Sequence, residues 1–412
     1  MQTSRPNFLI LVFDELRAQS VRHLGGPVAT PAIDRLAAEG LSFTRAYTPF
    51  PMCTPARAAW LSGRFPHALR DEAGGTYWFN NRLLHPESPS FARSLSAAGY
   101  ACGYVGKWHT DRDRAGTPVP AGPRRMGFDA WWRGINVGAP RTAPFAYDGA
   151  GRRLESGRDW EPDQQADLAE EFLRARARRP GAEGVEAAGA AEGEAGAVEG
   201  VGGAPFCLVV SCLPPHGPLD LPPRYEPWRE EAARRLAALG HRANVPERVR
   251  AAADEEWIGY HANVIGVDAI VGRLLAALDA AGLAEDTVVM LTSDHGSHVL
   301  SHGLRGKNQC YEEAVKVPWI VRWPGRIAAG RQAGDFCGLV DFAPTLLELA
   351  GVAAEPAMQG RSLAGVLLRG ERGPHRSAFV EVHHPWWDYR YGQGPGGMKR
   401  ALITDEWKLV LI

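Results

Sequence analysis

Along the chain, uninterrupted apolar runs alternate with stretches whose apolar positions recur every three or four residues. The first run, Asn7-Phe8-Leu9-Ile10-Leu11-Val12-Phe13, has no polar face after its first residue, as a strand covered on both sides of a parallel sheet requires. Thr30-Pro31 then supplies an N-cap and a first-turn proline for a helix through Ile33, Leu36 and Ala37, stopped by Gly40. Ser88-Pro89 repeats the device, with Phe91, Leu95 and Ala98 on one face and Gly99 as terminator. Strands are predicted at 100–105, 206–213, 287–293 and 317–323, and a long helix at about 254–281. Strands alternating with helices imply an α/β fold on a mostly parallel sheet.

Two regions depart from this rhythm. Residues 180–204 are almost entirely Gly, Ala, Glu and Val, with no large side chain to bury, which predicts a flexible surface insertion. Near the end, short strand-like pieces at 378–382, 400–404 and 407–412 predict a small antiparallel subdomain. The division is therefore a large α/β domain over 1–370 and a C-terminal subdomain over 371–412. The final piece breaks off within a strand pattern, which reads as a truncated or unusually short chain.

Composition narrows the classes. An apolar share of 45% and a charged share of 23% are those of a globular protein. With 46 basic against 47 acidic residues there is no whole-molecule field to attract nucleic acid or an anionic membrane, and neither is expected as a partner. The six cysteines are scattered without the spacing of a zinc knuckle or redox pair, so reduced thiols are expected. The N-terminal apolar run ends at Asp14-Glu15, too short for a signal peptide or a span, and a cytoplasmic location is expected.

Four polar clusters each follow a predicted strand: Asp14-Glu15, Lys107-Trp108-His109, His216 within Pro214-Pro215-His216-Gly217-Pro218, and Asp294-His295-Gly296. Ligands of open α/β sheets bind beyond the carboxyl ends of the strands, so these clusters should converge on one edge. Asp14, Glu15, Asp294 and His295 offer three carboxylates and an imidazole, a set suited to a divalent cation rather than a structural zinc. A helix cap at Asp14-Glu15 and a simple turn at 294–296 remain alternatives.

The segment Cys53-Thr54-Pro55-Ala56-Arg57, continued by Leu61 and Gly63-Arg64, fits C-x-P-x-R followed by L-x-G-R. In this it resembles the formylglycine-dependent sulfatases of the alkaline phosphatase superfamily. Flanking blocks agree in order: Thr30 to Leu36, Gly106-Lys107-Trp108-His109, and Gly306-Lys307 before Tyr311-Glu312-Glu313. The resemblance spans nearly the whole chain and implies a mixed central sheet sandwiched by helices.

It also implies a chemistry. Cys53 would be converted to formylglycine by a generating enzyme, a transient partner, and its hydrate would attack the sulfur of a sulfate ester, small-molecule or saccharide. A serine would form a sulfate ester as inert as the substrate, whereas the hydrate can collapse and expel sulfate. The metal site would be Asp14, Glu15, Asp294, His295 and modified Cys53 around one divalent ion, calcium first, with manganese or magnesium as alternatives. Lys107 and Lys307 would bind sulfate oxygens, Arg57 would orient the formylglycine, His109 would take the collapse proton, and His216 would protonate the departing alkoxide. Pro55 should start a helix directly after the nucleophile.

Glu15 departs from the family pattern, where a second aspartate is usual, and Ser297 and Ser301 stand where acidic residues are common. The aromatic run 383–391 either walls the leaving-group pocket or packs in the core, while Trp131-Trp132 read as structural. Two other functions share these residues or most of them: a phosphonate monoester or phosphodiester hydrolase of the same superfamily, and a non-catalytic anion or glycan binder with Cys53 unmodified.

Overall fold

The computed structural model describes residues 5–78, 82–111, 115–140, 142–177, 203–383 and 397–412. The predicted insertion at 180–204, except its last two residues, and the aromatic run after His383 lie outside them.

Strand β1 (Asn7–Asp14) shows why an uninterrupted apolar run is needed at the centre. Its Phe8, Ile10 and Val12 enter one hydrophobic layer, and Leu9, Leu11 and Phe13 enter the opposite one, because successive side chains of a strand point to opposite faces. The first layer is completed by helices Cys53–Ser62, Phe91–Ala97, Phe342–Leu349 and Ala364–Arg369. The second holds Pro31–Ala38, Glu161–Ala175, Glu226–Leu239 and the long Arg250–Ala280. That last helix has the length and apolar content to cross a bilayer, but the residues it buries, among them Val267, Val271, Leu274 and Leu278, pack in this layer.

The other strands are β2 (Leu41–Tyr47), β3 (Ala101–Lys107), β4 (Trp131–Ile135), β5 (Phe145–Tyr147), β6 (Arg153–Glu155), β7 (Phe206–Pro215), β8 (Thr287–Ser293), β9 (Trp319–Arg322) and β10 (Arg331–Gly338). They form one sheet in the order β10-β2-β9-β8-β1-β7-β3-β4-β5-β6. Its centre, β8-β1-β7-β3-β4, is parallel. Strand β9 runs antiparallel to both neighbours and makes the sheet mixed. It begins at Trp319, because Pro318 has no amide to donate. A separate antiparallel sheet of β11 (Ala378–His383), β12 (Met398–Ile403) and β13 (Lys408–Leu411) closes the chain.

Three local expectations are corrected. The Thr30 hydroxyl does not cap the helix after it; it engages Asp34 Oδ1 and the Arg22 amide. Asp268 on the long helix accepts from the Ala32 and Ile33 amides instead, at 3.2 and 2.8 Å. The second helix starts at Phe91, and Ser90, not Ser88, accepts from the Arg93 amide. The third begins at Cys53 itself, with Pro55 at its third position. Five strands escaped the sequence reading: β2, β4, β5, β6 and β10. Most mix polar with apolar residues because they lie toward the sheet margins, where one face or one end meets solvent.

Candidate active site

Strands β8, β1, β7 and β3 stand side by side, and each delivers one polar cluster from its carboxyl end. Asp14 closes β1, Lys107 closes β3, Asp294-His295 follow β8, and His216 follows β7. The register of β1 on β7 jumps from Phe13↔Cys212 to Asp14↔Pro215, a bulge that bends β7 at its end. As a result the His216 amide donates to the Asp14 carbonyl at 3.1 Å. Gly106, at φ 90, sits so close to β7 that a Cβ would lie 2.2 Å from the Ser211 carbonyl oxygen, which lets Lys107 reach the same edge.

Into this row the opposite layer inserts the start of helix Cys53–Ser62. The Cys53 sulfur lies 3.3 Å from His295 Nε2, 3.4 Å from Lys307 Nζ and 3.6 Å from Asp14 Oδ1, and His109 hydrogen-bonds to it. Burial pushes the thiol up, but Lys107, Lys307 and His295, with the His109 hydrogen bond, outweigh it and hold Cys53 well below its ordinary value. Burial and the Lys107 charge hold His109 down too, at about 4, as a neutral ring.

Arg57, fully buried one turn further on, binds both aspartates: Nε to Asp294 Oδ2 at 3.0 Å and Nη2 to Asp14 Oδ2 at 3.2 Å. Its Nη1 donates to the Lys107 carbonyl and to Ser211 Oγ. Arg57 thus orients the acidic pair, and none of these bonds goes to Cys53. Lys107 Nζ also pairs with Asp14 Oδ2. Against the cost of burial and the Cys53 charge, Lys107, His216 and Arg57 draw the Asp14 carboxyl far below the usual range. Burial and the nearby Asp14 charge instead hold Asp294 up at about 6.

Asp14, Cys53, Asp294 and His295 present one donor atom each, all within 4.8 Å of one another. His295 Nδ1 faces the Gly296 carbonyl at 2.9 Å, and a carbonyl only accepts, so Nδ1 carries a proton and Nε2 turns toward the cluster, where, against burial, Asp294 and the Cys53 charge hold the ring up at about 8. Two crowded carboxylates, a sulfur and an imidazole nitrogen turned to one point suit a divalent cation. Glu15 stands outside this group. It joins Asp14 and His216 in a second one, while its carboxylate takes Lys307 at 3.0 Å.

The side chains that the sequence reading singled out therefore meet around residue 53, with Glu15 and His216 on the outer side. Glu15, His109 and Asn308 hold positive φ angles of 69, 61 and 72°, conformations that cost about 1–3 kcal/mol each and gather where backbone must aim a side chain. Ser211, Ser293, Tyr104 and Tyr260 were missed. Ser293 Oγ lies 2.7 Å from both the Phe13 and the His295 carbonyl oxygens, which share its one proton, and accepts from the Leu16 amide, locking the ends of β1 and β8 together. The only available signal was a hydroxyl inside an apolar strand, which must find a partner.

A cavity of about 480 Å³ opens over Cys53, lined by Lys107, His109, His216 and Lys307. A larger one of about 620 Å³ adjoins it, with Glu15, Gly217, Arg305 and Gly306 in both walls, but does not reach residue 53. Ser297 lines the larger cavity, and Ser301 is buried. His383, the one described member of the aromatic run, packs edge-on against Trp78 at 4.5 Å, and Trp131 and Trp132 are buried.

The sulfatase family model matches residues 6–352. This chain belongs to the sulfatase family. A second model, N-sulphoglucosamine sulphohydrolase C-terminal, matches 301–412. The steryl-sulfatase of Mus musculus is 33% identical over 91% of this chain and 67% of its own length. The ulvan-active sulfatase of Formosa agariphila is 28% identical over 98% and 73%. A solved structure concerned with glycosaminoglycan metabolism by Bacteroides thetaiotaomicron superposes with a TM-score of 0.81 at 24% identity, covering 99% of this chain and 86% of that one. The phosphonate monoester hydrolase of Agrobacterium radiobacter, with a TM-score of 0.69, 21% identity and coverage of 99% and 87%, shares the fold. As a sulfatase, this protein is a sulfuric ester hydrolase on an alkaline-phosphatase-like fold. All six cysteines are free thiols in the structure.

Proposed function

We propose that this sulfatase acts on a sulfated saccharide through a formylglycine made from Cys53, with one divalent cation, calcium first among candidates, held by Asp14, Asp294, His295 and the modified residue 53. The observation that carries the reading is the cluster of four donor atoms within 4.8 Å at the start of helix Cys53–Ser62. The Cys53 sulfur stands in for the oxygens that the modified side chain would bear. The saccharide rests on the names of the ulvan and glycosaminoglycan relatives. Modification requires a formylglycine-generating enzyme acting on the Cys53–Arg57 segment.

When bound, the cation polarises a sulfate oxygen and balances the acidic pair. Lys307 and Lys107 hold ammonium groups toward the same oxygens, as donors with no acceptor capacity. Arg57 keeps Asp14 and Asp294 in place. His109, neutral and bonded to residue 53, takes a proton from it. His216 Nδ1 points at the Gly217 carbonyl 2.6 Å away, which leaves Nε2 to protonate the leaving alkoxide.

Intact mass and turnover test this together. Protein from a host with the generating enzyme should be about 18 Da lighter than its sequence, the thiol-to-aldehyde difference, and should release sulfate in a cation-dependent way. A fully active thiol form, or aryl phosphodiester turnover exceeding aryl sulfate turnover, would overturn the proposal.

A further inference from the structure

We infer that Glu15 is a positioning residue that ties Lys307 to His216 and is not a ligand of the metal; this rests on the reaction proposed above. The Glu15 backbone is held from both sides. Its amide donates to Asp294 Oδ1 at 3.1 Å and its carbonyl accepts from the Tyr260 hydroxyl at 2.7 Å, in a left-handed conformation with φ 69. Pinned in this way, the side chain carries Oε2 to Lys307 and His216. It is absent from the four-donor cluster although its neighbour Asp14 belongs to it, and the group it does form with Asp14 brings in His216 in place of Cys53, Asp294 and His295.

One carboxylate oxygen, Oε2, receives Lys307 Nζ at 3.0 Å and lies 3.4 Å from His216 Nε2. Lys307 and Glu15 are each more than nine-tenths buried, and withdrawing the carboxylate toward a metal would take from a buried ammonium its carboxylate partner, leaving the Cys53 sulfur at 3.4 Å. The extra methylene relative to aspartate provides the reach to both basic groups. Glu15 also lines both cavities over the strand ends, which places it where the substrate's sulfate and its leaving group meet. It therefore sets Lys307 on the sulfate side and His216 on the alkoxide side of the bond that breaks.

The test compares Ca²⁺ binding and leaving-group dependence in Glu15→Gln, Glu15→Asp and Asp14→Asn, with turnover normalised to the modified fraction by intact mass. Glu15→Gln should keep Ca²⁺ affinity within about threefold of wild type, because its carboxylate contacts Lys307 and His216 and none of the four donors, while Asp14→Asn, which removes a charged oxygen ligand, loses at least about thirtyfold. In Glu15→Gln, kcat should fall more steeply for poor leaving groups than for good ones. Glu15→Asp, too short to span both partners, should share that steepening. Glu15→Gln losing Ca²⁺ as Asp14→Asn does, or keeping the wild-type leaving-group slope, overturns the inference. A wild type that binds no Ca²⁺ or releases no sulfate removes the proposed function first, and is recognised before any variant is made.

Discussion

Two helices begin against opposite faces of the same sheet, and neither receives a side-chain cap from the residue before its first turn. At Pro31–Ala38 the amides of Ala32 and Ile33 are taken by Asp268, which reaches across from the long helix. At Cys53–Ser62 the first residue is Cys53, and what stands opposite is a ring of Lys107, Lys307, His295 and Asp14. A helix start carries roughly half a positive charge in either case. One is neutralised by a fixed carboxylate and becomes a packing joint. The other adds its field to two lysines, which suits it to the anion and the nucleophile proposed above.

The comparison can be broken most severely at its reactive side. Cys53→Ala should lower sulfate release by about 10⁵-fold or more, as loss of a covalent nucleophile does, with the far-ultraviolet circular dichroism and melting temperature close to wild type. Residual turnover within about a hundredfold of wild type would leave the helix start without its assigned chemistry.

Arg57→Met should unfold the protein more easily by about 3–5 kcal/mol in urea, because Asp14 and Asp294 would be buried without their shared guanidinium. Excess cation should recover part of that loss. A variant as stable as wild type would show that the buried carboxylates do not depend on Arg57.

The inert helix start predicts a pH effect of definite sign. Burial, against the two amide bonds, holds Asp268 up at about 6, above its ordinary 3.8. A raised acid contributes stability that is fully present below the unfolded value and is lost as pH rises through the folded one. Between pH 4 and 7, wild type should therefore lose about 2 kcal/mol relative to Asp268→Asn. Urea titrations of the pair at several pH values measure this, and parallel profiles would refute it. The smallest effect is expected at Ser211→Ala, about 1 kcal/mol for one hydrogen bond to Arg57, with turnover reduced only as far as Arg57 shifts.

Strands β1, β3, β7 and β8 were legible because central strands need apolar residues on both faces, and such runs are hard to mistake. The margins were not: β10 reads Arg-Gln-Ala-Gly-Asp-Phe-Cys-Gly, and its strand character comes from pairing with β2. Helix starts were legible in existence and wrong in their caps, since Asp268 lies more than two hundred residues from the amides it accepts. Within the site, Cys53, Arg57, Lys107, His109, Asp294 and His295 were marked by motif and by position after strands. Ser211, Ser293 and Tyr260 carry no local mark, because each acts through a partner distant in sequence.

The residue string by itself determined which strands are central, which side chains end them, and that a Cys-x-Pro-x-Arg segment must join them in a sulfatase. Only the tertiary structure decided which way each carboxylate turns. Asp14 and Glu15 are adjacent and chemically alike, yet one is gripped by Arg57 and Lys107 inside the cluster and the other faces Lys307 and His216 outside it. Direction in space depends on backbone torsion and on partners supplied by distant strands, and these come into being only when the sheet has formed.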